Sequence, residues 1–158
     1  MAKFDVETLL NKTAAVVKDN LNAEIVCINT EKADFDLAQF TDSMYYFQNL
    51  TNEVFSYKQF IMWGMYDNPQ IIDTTQVASL KKVEVFFEVV LVDDAGPMSE
   101  NVFIRLLRYS RALEQVIQKK GGTIRSGTKF KVSSLNPTSL SFAGKTLRSA
   151  GITIEAAI

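Results

Sequence analysis

Three stretches of this sequence predict an α+β domain, an antiparallel or mixed β-sheet backed by two helices, with an aromatic-rich hairpin or loop insertion. Residues 82–93 alternate, placing Val83, Val85, Phe87, Val89 and Leu91 on one face of a strand. Residues 100–120 set Val102, Phe103, Leu106, Tyr109, Leu113, Val116 and Ile117 at helical spacing, one apolar stripe. Val6, Leu9, Leu10, Thr13, Val16, Val17 and Leu21 do the same near the N-terminus. A long strand covered by an amphipathic helix is the nucleus of such a domain.

Taken in order, Asp5 suits the N-cap of the first helix, and Asn20 and Asn22 suit its end. Residues 24–30 then read as a short strand, with Ile25 and Cys27 on one face and Val26 and Ile28 on the other. Residues 31–66 form the insertion and hold ten of the seventeen aromatics, within two extended runs over 44–50 and 54–66. Residues 67–70 read as a turn and 71–80 as a polar connection. The other face of the 82–93 strand mixes Lys82, Glu84 and Glu88 with Phe86, Val90 and Val92, so it too is partly covered. Residues 93–97 stop that strand, because Asp, Gly and Pro favour turns and Pro gives no amide to a ladder. Ser99 suits the N-cap of the second helix, and Gly121-Gly122 its end. Residues 121–127 are then a loop, 129–133 a strand, Asn136-Pro137 a turn and 140–143 a short strand. Residues 148–158 make a last strand with Ala150, Ile152, Ile154, Ala156 and Ile158 on one face, which implies that this strand is paired.

The 158 residues fit a single domain, 1–158, with 47% hydrophobic and 22% charged residues. Met1-Ala-Lys-Phe-Asp5 lacks the apolar run of a signal peptide, no stretch is long enough to span a bilayer, and a cytosolic compartment is expected. With no histidine, the usual zinc sites and the commonest acid–base group are absent. The one cysteine, Cys27, excludes an internal disulfide framework, and its apolar neighbours predict a core position. The net charge of −1 hides an asymmetry. Residues 1–100 hold 7 Lys+Arg against 16 Asp+Glu, and residues 101–158 hold 10 against 2, so the balances are −9 and +8. Either the halves intermix in the fold, or one side is acidic and the other basic, which suits self-association.

No motif points to catalysis. Gly144-Lys145-Thr146 matches the tail of a phosphate-binding loop, but Ser139 stands where the leading glycine belongs and a strand follows. Gly121, Gly122 and Gly127 do not space as a dinucleotide fingerprint, and the Asp34/Asp36 and Asp93/Asp94 pairs lack the other ligands of a calcium loop. Asn11-Lys-Thr13 and Asn49-Leu-Thr51 match glycosylation acceptors only in a secreted chain. A serine nucleophile would lack a histidine base. No catalytic, metal or cofactor residues are therefore assigned.

Two surfaces read as candidates for contact with partners. Arg105, Arg108 and Arg111 fan over the helix face opposite the apolar stripe, with Ile104 among them; guanidinium groups bind carboxylates bidentately across interfaces. Tyr45, Tyr46, Phe47, Phe55 and Tyr57 lie in the insertion, and such side chains serve as core, cross-strand pairs or interface anchors.

The opening helix, the run Phe60-Ile-Met-Trp-Gly-Met-Tyr66, the strand–helix pair over 83–93 and 102–118, and the closing Arg148-Ser-Ala-Gly-Ile-Thr-Ile-Glu155 together resemble the tail terminator (tail completion) proteins of long-tailed bacteriophages. The resemblance covers about two-thirds of the chain, outside residues 31–57. It implies a sheet backed by helices, and a homo-oligomeric ring, typically a hexamer, that ends the tail tube. It also implies tail tube protein and a head-completion or neck protein as partners, DNA passing the lumen without sequence-specific binding, and a place in the virion after assembly in the host cytoplasm. The arginine face would lie at a subunit junction or toward the lumen. Alternatives are a small cytosolic ligand-binding or regulatory α+β domain, or another tail or baseplate component.

Overall fold

The computed structural model describes residues 5–47, 57–65, 70–73, 80–93, 100–125, 130–142 and 144–157. Asp5 caps the first helix as its sequence predicts, accepting a hydrogen bond from the Thr8 amide at 2.8 Å. That helix, α1 (Val6–Glu31), does not stop at Asn20 or Asn22. Residues 24–30 are helical rather than a strand, because Ile25 and Ile28 extend the buried line of Leu9, Thr13, Val17 and Leu21 at helical spacing. The same phase turns Val26 and Cys27 outward, so Cys27 is exposed and not a core residue.

Among the described residues six strands form one mixed sheet: β1 (Tyr45–Phe47), β2 (Gln59–Met65), β3 (Gln70–Asp73), β4 (Leu80–Asp93), β5 (Lys131–Phe142) and β6 (Lys145–Ala157). Their order is β1-β2-β4-β6-β5, with β3 also on β4. β1 runs parallel to β2 and every other pairing is antiparallel. The two aromatic runs therefore pair in parallel and not as the two arms of a hairpin, and residues 48–56 between them lie outside the described residues. β3 occupies part of the expected 71–80 connection. The expected turns over 67–70 and 93–97, and the cap at Ser99, fall largely or wholly outside the described residues.

β4 is the spine. Val83, Val85, Phe87, Val89 and Leu91 are buried on one face, level with Ala150, Ile152, Ile154 and Ala156 of β6. Helix α2 (Glu100–Lys120) rests over β4, β5 and β6 on that face, and α1 packs along α2. Leu106, Tyr109, Leu113, Val116 and Ile117 of the expected stripe are buried, but Phe103 is 43% exposed. Full burial begins only at Leu106, one turn further into the helix. On the opposite face Phe60, Val90 and Leu147 form a second buried cluster flanked by Tyr46, Met62 and Val92.

The two short strands expected after α2 are one strand, β5, that holds Asn136 and Pro137 inside it. Pairing with β6 slips between Leu135 and Thr138, a bulge that accommodates the proline on an edge strand. Gly144 takes φ 77° in the tight connection into β6, a conformation that costs glycine nothing. Gly151, opposite Glu88, lets β6 approach β4: a Cβ there would lie 2.0 Å from the Phe87 carbonyl oxygen.

Candidate assembly surface

The arginine row of α2 meets carboxylates of its own chain. Because α1 and α2 pack antiparallel, Glu24, Glu31 and Asp34 come level with Lys119, Arg111 and Arg108. Arg108 donates to both Asp34 oxygens at 2.9 and 3.0 Å, and Arg111 to both Glu31 oxygens at 3.1 and 2.9 Å. Lys119 Nζ donates to both oxygens of the buried Glu24 at 2.8 and 3.1 Å. With its amide nitrogen turned toward Glu24 Oε2, Gln115 also joins Glu24 to Arg111 Nε, at 3.1 and 3.3 Å. The arginine hydrogen bonds hold the Glu31 and Asp34 carboxyls below their usual range, and the Glu24 hydrogen bond raises Lys119. Arg105 and Arg108 both lie over the Phe35 ring, at 5.5 and 4.3 Å from its centroid. Ile104 is half-buried beside them. The bidentate pairing that the sequence suggests across an interface is thus made within the chain. The −9 and +8 halves meet along this helix seam.

The described part of the insertion is clamped down. Asn22 brackets Phe40, donating to its carbonyl at 2.7 Å and accepting from its amide at 2.9 Å. Asn29, one heptad later, brackets Leu37 in the same way at 3.0 and 2.7 Å. Each amide side chain imitates a strand partner, so a segment without regular structure has its buried backbone groups satisfied. Leu37 and Phe40 are buried as a result. The Tyr109 hydroxyl donates to the Ala38 carbonyl at 2.8 Å and lies 3.1 Å from Gln59 Oε1, and burial pushes its pKa up to about 12. The helix spacing of Asn22 and Asn29 was the only sequence signal for this clamp, and it reads equally well as a helix end.

The aromatics align across strands. Phe47 meets Trp63 edge-on at 4.7 Å, and Trp63 stacks on Phe87 at 5.8 Å with an interplanar angle of 6°. On the other face Tyr46 meets Phe60 at 5.5 Å. Tyr45 packs on Phe40 at 6.4 Å and under Lys18 Nζ at 5.4 Å. Burial, with the charge of Asp42, raises the Tyr45 pKa. Tyr57 donates to Ser43 Oγ at 2.9 Å, whereas Phe55 lies outside the described residues. Of the described docking candidates, Phe47 is the side chain left substantially open, at 47% exposure.

The sheet face away from the helices carries a groove of about 100 Å³ lined by Met62, Glu88, Val90, Thr138, Leu140, Leu147 and Ser149. Ser149 donates to Glu88 Oε1 at 2.7 Å and shares a 3.0 Å hydrogen bond with Thr138. Sequence reasoning singled out none of these groups as a site. Among the described residues no three His, Cys, Asp or Glu side chains gather to hold a metal ion, and no helix is long and apolar enough to cross a membrane. Neither a family model nor a curated protein matches the chain.

Proposed function

We propose that the protein is a non-catalytic structural component of a phage virion, a ring-forming tail terminator that closes the tail tube and joins it to the head connector. The observation that carries this is the sheet with two unlike edges. Among the described residues a short aromatic strand, β1, ends one side, and a long strand whose one charged residue is Lys131, β5, ends the other. A ring is a head-to-tail assembly, in which two different patches of each copy must meet. Two dissimilar sheet edges on opposite sides of one domain supply such a pair.

The architecture also agrees with what the resemblance implies, one sheet backed by helices. Arg108 and Arg111, engaged with Asp34 and Glu31, serve a junction or a DNA-facing lumen only if those pairs reopen or are shared. Light scattering of the protein alone and sedimentation with tail tubes test the proposal. Ring-sized mass, or capture on tube ends, supports it. A monomer that ignores tube ends overturns it.

A further inference from the structure

We infer that the groove on the sheet face away from the helices is a binding site for the ammonium end of a lysine side chain carried by a partner protein. This goes beyond the ring reading and does not depend on it. Every residue that lines the groove is among those described. Glu88 of β4 stands in it beside Ser149 of β6 and Thr138 of β5. Glu84, Glu88 and Glu155 share this face of the sheet, at positions that alternate with the buried ones. Lys82 pairs with Glu84 at 3.6 Å and with Glu155 at 3.1 Å. No described lysine or arginine pairs with Glu88. A half-buried carboxylate among apolar side chains is costly without a counter-ion, and a cation delivered from outside relieves that cost.

Three features fix the chemistry of the occupant. The first is the direction of the hydrogen bonds. Ser149 has one hydroxyl proton and gives it to Glu88 Oε1 at 2.7 Å, so in the 3.0 Å hydrogen bond between Ser149 and Thr138 it is Thr138 that donates. Both hydroxyl protons are thus committed along a relay that ends on Glu88. What remains for a ligand is acceptors, the second Glu88 oxygen foremost, together with one negative charge. That arrangement turns anions away and calls for a charged donor. The second feature is size and lining. The groove holds about 100 Å³, roughly three times the share of one water in the liquid, which suits the last two methylenes and the ammonium of a lysine. Met62, Val90 and Leu140 give those methylenes apolar walls. A planar guanidinium would set most of its five N–H donors against the same walls, unmatched. The third feature is Leu140, which lines the groove and is 57% exposed. A free amine would leave it in water, whereas a protein surface that delivers a lysine covers it.

The test titrates the full chain with N-acetyl-lysine amide and follows the methyl resonance of Met62, assigned through Met62→Leu. The probes beside it are N-acetyl-norleucine amide, which keeps the stem and lacks the ammonium, N-acetyl-arginine amide, and 1,4-diaminobutane as a free amine. The expected result is a saturable shift with the lysine probe in the millimolar range, at least tenfold weaker with the norleucine and arginine probes. Glu88→Gln should weaken the lysine probe at least tenfold while leaving the urea midpoint in place. Should that variant fail to fold, Leu140→Ser decides, because Leu140 is exposed and its loss removes a wall without disturbing the core; a severalfold weaker lysine probe is expected. No saturable shift with the lysine probe overturns the assignment. Equal binding of the norleucine probe overturns it in favour of a merely apolar groove, and tighter binding of the arginine probe in favour of a guanidinium. Diaminobutane binding at least tenfold tighter than the lysine probe overturns the protein source in favour of a free amine. Undiminished binding by a folded Glu88→Gln, or by Leu140→Ser in its place, overturns the site itself.

Discussion

Gly151 shows how much a single hydrogen atom can decide. Any Cβ at this position would sit 2.0 Å from the Phe87 carbonyl oxygen and 2.7 Å from the Glu88 Cα, both backbone atoms of the sheet's spine. Neither can swing aside as a side-chain tip would. Gly151→Ala should therefore cost at least the roughly 1–3 kcal/mol of ordinary overpacking, and an unchanged urea midpoint would show that the β4–β6 pairing is wrong. Leu113 tests the opposite face of the same core. It is fully buried under α2, so Leu113→Ala should cost about 2–5 kcal/mol, the usual range for a truncated core leucine. A loss under about half a kcal/mol would mean that the buried side of α2 is misassigned. Tyr109→Phe removes the donor to the Ala38 carbonyl while keeping the ring; a loss of about 1 kcal/mol is expected from equilibrium unfolding.

At the scale of elements, the α1–α2 seam carries the pH dependence. Glu31 and Asp34 have folded pKa values below their ordinary 4.5 and 3.8, chiefly through hydrogen bonds from Arg111 and Arg108. A depressed carboxylate stabilises the folded state above its unfolded pKa, and that contribution is lost as pH falls through the lower folded value. The urea midpoint should accordingly fall on acidification below about pH 4.5, and a Glu31→Gln/Asp34→Asn variant should show a shallower fall. Equal slopes would mean that the pairs contribute nothing in solution, a common outcome for exposed ion pairs. For the same reason Arg108→Glu/Arg111→Glu faces like charges within its own chain and loosens this seam before it reports on any neighbour. The seam was half legible in the sequence. The lopsided charge pointed to a pairing of unlike surfaces, but the sequence carried no sign that both surfaces lay within one chain. Strands β4 and β6 were plain because their apolar positions repeat at period two over a long stretch. Residues 24–30 misled because Ile25, Val26, Cys27 and Ile28 are apolar in succession, and a short apolar run fits a strand as well as a buried helix turn. Pro137 misled in the opposite sense, since a proline that usually breaks a strand is tolerated where an edge bulges. The clamp by Asn22 and Asn29 depends on contacts with residues 37–40, which no local pattern reveals.

For the whole molecule, the account depends on assembly. One face of the sheet is thickly covered by α1 and α2, while its two edges differ in length, chemistry and exposed side chains. Assembly should also change hydrogen exchange: amides of β5 over 138–142, weakly protected in the single copy, should gain protection in the ring. The most direct measurement is the mass of the assembled protein by light scattering, alone and with tail tubes. The account predicts a closed ring, most simply six copies of 17.7 kDa or about 106 kDa, forming on its own or at tube ends. A particle that remains at 17.7 kDa under both conditions, and leaves tube ends bare, would contradict it.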